Sequence, residues 1–204
     1  SEGTQTLYVE ERDMAGNWSS SGSKEIVIDI TAPSAPTLST PANGAYTNDT
    51  TPTLSWGAVT GASQYQIQVD KNSTFSSPTW TATSALTSAT ASTLAEGTYY
   101  WRVRANNGVD ATGNWGSYSP SRSFNIDTIA PTGTSISVNG GATYATSTGV
   151  TLTLAATGAA QMRFKNDSGS YGSYVSYSTL HSHTLANTQG TRTVTVQFKD
   201  AAGN

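Results

Sequence analysis

The sequence predicts an all-β protein assembled from tandem sandwiches, and three observations carry that expectation. The polarity of the chain is uncharged: Asp, Glu, Lys and Arg supply only 11% of its 204 residues, while Ser, Thr, Gly, Ala and Asn dominate. That composition suits neither a helix-rich enzyme nor a charged disordered tail. Thr, Val, Ile, Tyr and Trp alternate with small polar residues, the pattern of a pleated, half-buried surface. Finally, a phrase recurs: "ERDMAGNW" occupies residues 11–18 and "KDAAGN" occupies 199–204, as expected of a segment cut from a longer array of repeats.

Charge and composition exclude several partners. The formal net charge is -3 with no cluster of Lys or Arg, so neither a phosphate backbone nor an anionic membrane finds a footprint, and nucleic acid is not expected as a partner. With 0 Cys there is no disulfide framework and no thiolate metal site. No apolar run approaches the roughly 20 residues that cross a bilayer, so an export signal or anchor is expected outside this segment.

The elements follow from the repeats. "TLYVEERDMAGNW" from Thr6, "TYYWRVRANNGVDATGNW" from Thr98 and "TVTVQFKDAAGN" from Thr193 each read as an alternating strand followed by a turn ending in Gly-Asn. After the first two comes a second alternating strand, "KEIVIDITAP" from Lys24 and "RSFNIDTIAP" from Arg122; the third copy stops before it. Copies recur about every 90 to 97 residues, close to the ~100 residues of one sandwich. Between Pro36 and Asp127 the strands are "TPTLSWG", "SQYQIQVD", "PTWTAT", "TASTLA", "GTYYWRVRAN" and "SRSFNID". A period of two places Tyr99, Trp101, Val103 and Ala105 on the core face and Tyr100, Arg102 and Arg104 on the other. It likewise buries Tyr65, Ile67 and Val69.

"TPTLSWGAVTGASQYQIQVD", "LAEGTYYWRVRA" and "GNWGSYSPSRSFNID" together resemble a bacterial fibronectin type III domain, with Trp56 on the second strand and Leu-x-x-Gly-Thr-x-Tyr at Leu94 to Tyr100. The resemblance implies a tyrosine that bonds back to the backbone at this corner. Spacing from Gly97 points to Tyr100, whereas alternation points to Tyr99. The flanking stretches resemble bacterial immunoglobulin-like surface modules with an Asp-x-Ala-Gly-Asn hairpin (Asp13 to Asn17, Asp200 to Asn204; a looser Asp110 to Asn114 in the middle) and an Asp-x-x-Ala-Pro linker (Asp29 to Pro33, Asp127 to Pro131). The expected organisation is therefore tandem immunoglobulin/fibronectin III-like β-sandwiches. Residues 1–32 would be the C-terminal strand pair of one module, 33–127 a fibronectin III-like domain, and 128–204 a module lacking its last strand. Either the natural chain continues in both directions, or the orphan strand around Ile26, Ile28 and Ile30 completes the open sandwich of another copy by strand addition.

Each candidate site has a structural reading beside the functional one. Asp13 and Asp200 suit a tight turn in which a carboxylate accepts backbone N–H groups; with Asp29 and Asp127 they could instead offer hard oxygen ligands to calcium at each junction, although no Asp-x-Asp-x-Asp loop accompanies them. Trp80, Trp115, Tyr171, Tyr174 and Tyr177 could stack on sugar rings, or else cover the core and the sheet ends. His181 and His183 share a strand face but lack a third metal ligand, and read as surface histidines. Pro33, Pro36 and Pro131 hold the linkers extended. Asn-x-Ser/Thr at Asn17, Asn48, Asn72 and Asn166 is expected by chance in so Ser/Thr-rich a chain.

No nucleophile elbow, zinc helix, Walker loop or dinucleotide fingerprint is present, and Glu10, Glu11 and Glu96 have no evident acid–base partner. The chain therefore reads as non-enzymatic and cofactor-free: a spacer, stalk or filament segment of a large extracellular or cell-surface bacterial protein, contributing to adhesion and contacting neighbouring repeats, copies of itself or surface polysaccharide. The alternatives are a carbohydrate-binding accessory module and a self-assembling fibre subunit.

Overall fold

The computed structural model describes residues 3–108 and 113–204. Every regular element among them is a strand. β1 (Gly3–Val9) and β2 (Gly22–Ile28) form an antiparallel pair in which Leu7 faces Lys24 and Val9 faces Gly22. Leu7, Tyr8, Val9, Ile26 and Val27 of this pair lie open to solvent. β2 ends at Ile28, and Ile30 lies beyond it in the linker, not on the strand with Ile26 and Ile28.

The middle unit is a two-layer sandwich. β3 (Leu38–Thr40), β5 (Thr53–Trp56) and β8 (Ser88–Thr90) make one sheet. The other runs β4-β10-β9-β6-β7, from β4 (Ala45–Thr47), β6 (Gln64–Asp70), β7 (Trp80–Ser84), β9 (Gly97–Asn106) and β10 (Arg122–Ile126). Its pairs are antiparallel except β10 with β4, which is parallel. Alternation decides what is buried: Tyr65, Ile67 and Val69 from β6, Tyr99, Trp101, Val103 and Ala105 from β9, and Phe124 and Ile126 from β10 meet Leu54 and Trp56 from the facing sheet. Each Val, Leu, Ile or Phe side chain of this set, once covered, contributes roughly 1.5–3 kcal/mol.

The corner tyrosine is Tyr99. Its hydroxyl donates to the Ala95 carbonyl (3.1 Å) while its ring lies in the core, stacked at 5.8 Å on Phe124. The β9–β10 register runs unbroken from Gly97 to Trp101, so no bulge intervenes and Tyr100 stays on the outer face. The strand expected over "TASTLA" (residues 90–95) is displaced: β8 is Ser88–Thr90 and shares only Thr90 with that stretch, while Ala91 and Leu94 are buried and donate their N–H groups to the Pro52 and Thr50 carbonyls.

The third unit pairs β11 (Thr132–Val138), β12 (Gly149–Thr157) and β15 (Leu180–Thr184) in one sheet. The other holds β14 (Val175–Ser176), β13 (Gln161–Asn166) and β16 (Val194–Lys199). Val150, Leu152, Leu154 and Met162 are its core, with Phe164, Tyr177, Val196 and Phe198 packed at the margin. β9 is flanked by β6 and β10, whereas β16 has only β13 beside it among the described residues.

Candidate functional site

The recurring phrase builds a recurring turn. Asp13 Oδ1 accepts the N–H groups of Ala15 (2.9 Å) and Asn17 (2.8 Å), and Oδ2 accepts the Asn17 side-chain amide (3.0 Å). Gly16 holds φ at 96°, a conformation that glycine adopts without a Cβ penalty. Asp200 repeats this with Gly203 (2.8 Å), Asn204 N–H (2.9 Å) and the Asn204 amide (3.0 Å). The Asn17 side-chain bond is foremost in holding the Asp13 carboxyl below its ordinary range. At Asp200 burial pushes upward, but the hydrogen bonds from Asn204, Gly203 and Ala202 outweigh it and the net shift is downward.

In the middle unit the equivalent acceptor is Asn107, whose Oδ1 takes the Asn114 N–H at 3.0 Å. Asp110, singled out by the looser phrase, lies outside the described residues. The register supports the equivalence, because Asn106 bridges to Trp115 as Arg12 bridges to Trp18, and Asn107 and Asp13 are the next residues along. Sequence reading missed Asn107 because a longer turn separates it from Asn114. Counting from the end of the strand, not back from Gly-Asn, would have found it.

The asparagine that closes each turn also reaches the linker. Asn114 donates its side-chain amide to the Asp29 carbonyl (2.9 Å), and Asn204 does the same to the Asp127 carbonyl (2.6 Å). These are contacts 85 and 77 residues apart in sequence. Asn107 adds bonds to Asp29 Oδ2 (2.8 Å) and the Thr31 carbonyl (3.0 Å). Within the linkers, Asp29 Oδ1 accepts Thr31 N–H and Asp127 Oδ1 accepts Ile129 N–H, both at 3.1 Å. On the other side of the second linker, Glu96 accepts both the N–H and the hydroxyl of Thr128. Residues 127–128 are thereby held by the middle unit through Glu96 and by the third through Asn204.

Of the four aspartates considered for calcium, Asp13, Asp29 and Asp200 direct both carboxylate oxygens to backbone and amide donors, and Asp127 directs Oδ1 to the Ile129 N–H. Among the described residues, no three His, Cys, Asp or Glu side chains gather in a group that could hold a metal ion.

The aromatic candidates fall into two settings. Trp80 packs against the middle core, and Tyr177 packs against the third, its hydroxyl accepting the Ala156 N–H at 3.1 Å. The others stack on cations. Arg104 lies over Trp115 (4.7 Å) and Tyr118 (4.8 Å), and Arg102 lies over Tyr118 (3.9 Å) and Phe75 (4.1 Å). Gln68 and Gln66 fix the two guanidinium groups. Arg163 reaches Tyr171 (4.8 Å) and Tyr174 (4.5 Å), joined by Lys165 over Tyr171 (5.0 Å) and Lys199 over Tyr174 (4.2 Å). Each such contact contributes about 0.5–1 kcal/mol where it is exposed. Alternation along β9 placed Arg102 and Arg104 on the outer face, but not the rings that cover them.

His181 and His183 are half-buried, not free on the surface. His181 stacks on Phe164 at 4.3 Å and 8°, and His183 Nε2 meets Asn166 Oδ1 at 2.8 Å. Burial, and then the neighbouring His181, lowers the His183 pKa.

No family model and no curated protein matches the chain. Among solved structures, the three consecutive domains in the crystal structure of chicken CNTN1 FN1-FN3 are similar, with a TM-score of 0.53 at 14% identity, covering 98% of this chain and 71% of that one. The chain is accordingly a tandem array of fibronectin III/immunoglobulin-like β-sandwich units. The structure it resembles is itself a run of such domains, a likeness of fold alone.

Proposed function

We propose that this chain is a stiff spacer, a stalk segment of a secreted or cell-surface bacterial protein that holds other modules at a set distance and contacts neighbouring repeats of the same kind. The observation that supports it is the linker clamp. Asn114 and Asn204 each tie the turn of one unit to the linker before it, and Glu96 ties residue 128 to the unit before that. Linker prolines add stiffness by fixing φ. Tandem sandwiches of this class are found mostly outside the cell, and among the described residues no helix is long and apolar enough to cross a membrane.

The test is a distance distribution. Spin labels on Ser73→Cys and Thr153→Cys, in a chain with 0 native Cys, are expected to give one narrow peak. Glu96→Ala with Asn204→Ala is expected to broaden it. A distribution already broad in the parent chain would overturn the stiff-spacer reading.

A further inference from the structure

Two rows of stacked cations and rings lie on outer sheet faces, and they end differently. In the middle unit the order is Phe75, Arg102, Tyr118, Arg104, Trp115, so each guanidinium meets two rings and the row closes on a ring at both ends. In the third unit the order is Lys165, Tyr171, Arg163, Tyr174, Lys199, and the row ends on an ammonium group at either side. The pairing of β13 with β16 assembles it. Arg163 and Lys165 alternate with the core residues Met162 and Phe164 and stand two residues apart on one strand, roughly 6.5 Å. Arg163 faces Gln197, so Lys199 is its diagonal neighbour, a relation that spans roughly 7–8 Å. Both rings come from the segment between β13 and β14, which is held to the strand by the Gly169 N–H on the Asn166 carbonyl and the Gly172 N–H on the Phe164 carbonyl, each at 2.9 Å. Only the small residues Gly172 and Ser173 separate the two tyrosines.

These charges have no anion within the chain. Arg163 donates Nε to the Gln197 amide oxygen at 2.8 Å. Among the described residues, its other nitrogens and both lysine ammonium groups have neither a hydrogen-bond acceptor nor a carboxylate partner. The carboxylates nearest in sequence are engaged: Asp167 holds Arg192 (3.3 Å) and the Thr193 N–H (2.9 Å), and Asp200 holds its own turn. Three uncompensated cations therefore stand in line on a chain whose net charge is -3. We infer that this row binds a linear acidic polysaccharide, with sugar carboxylates on Lys165, Arg163 and Lys199 and sugar hydroxyls at the Tyr171 and Tyr174 phenols. A guanidinium held flat by rings keeps its N–H edge for a carboxylate. A single-stranded nucleic acid would need rings free to stack on its bases, but each ring here already serves two cations. A membrane surface takes up apolar side chains beside basic ones, whereas the segment between the tyrosines offers Gly and Ser. This inference does not rest on the stiffness of the linkers.

Titration calorimetry of the 204-residue chain with polygalacturonate, and with dextran as the uncharged control, tests it. The parent chain is expected to bind polygalacturonate, less tightly as salt rises, and to leave dextran unbound. Lys165→Gln with Lys199→Gln is expected to weaken binding about tenfold or more. Lys165→Arg with Lys199→Arg should retain it, and Lys24→Gln with Lys71→Gln, an equal loss of charge elsewhere, should leave it unchanged. A parent chain that does not bind, an equal loss in the Lys24 and Lys71 variant, or equally tight binding of polyglutamate or single-stranded DNA would overturn the inference.

Discussion

Gly116→Ala probes the linker clamp with a single methyl group. A Cβ at this position would stand 2.0 Å from the Pro33 carbonyl oxygen and 3.1 Å from its carbon. The obstacle is backbone, not the free end of a side chain, so linker and turn must separate by about 1 Å or more to reach ordinary contact distance. If the linker moves, it sheds the bonds from Asn114 to Asp29 and from Asn107 to Asp29 and Thr31. If instead the turn moves, it sheds the Gly116 N–H bond to the Ala105 carbonyl (2.8 Å) and disturbs the stacking of Trp115 on Arg104. Three bonds at about 0.5–1.5 kcal/mol each set the loss at roughly 1.5–4.5 kcal/mol, the lower half being expected because these groups are solvent-exposed.

Urea unfolding followed by tryptophan fluorescence reads that loss, since Trp56 and Trp101 are buried in the middle core. A lower midpoint at unchanged slope is expected. Asn114→Ala acts on the same clamp, so the two substitutions together should cost less than the sum of their separate effects. A Gly116→Ala chain within about 0.5 kcal/mol of the parent, or strict additivity with Asn114→Ala, would refute the idea that the turn and the linker are mechanically joined.

Two further outcomes follow from the cores. Phe124→Ala should destabilise the middle unit by about 3–5 kcal/mol, because the ring is fully buried and stacked on Tyr99; urea unfolding by the same fluorescence measures it. His183 has a folded pKa below its ordinary 6.5, so the unfolded chain binds the proton first. Its contribution to the stability of the third unit is then fully present above 6.5 and is lost as pH falls from there through the lower folded value. Hydrogen exchange of β15 and β16 against pH should show that loss, and His183→Gln should flatten it.

The contrast between what alternation predicts and what the structure adds is clearest along β9. Its period of two named Tyr99, Trp101, Val103 and Ala105 as core, and all four are buried, because which face a side chain takes is a property of a few consecutive residues. The same period set Arg102 and Arg104 outward but could not reveal Phe75 and Tyr118 beside them, since those rings arrive from distant stretches. β3 and β4, three residues each, are too short to show a period at all; their partners decide that they are strands.

The linkers divide in the same way. From the sequence alone came the all-β class, the repeats and the Asp-to-Asn turn, whose hydrogen bonds span at most four residues at Asp13 and at Asp200. Tertiary structure alone decided that Asn107 takes the aspartate's part in the middle unit, and that Asn114 and Asn204 reach back to linkers 85 and 77 residues earlier. Local pattern records which backbone groups a residue can serve within its own turn. Only folding brings together groups separated by a whole sandwich, and the chain carries no periodic mark of that meeting.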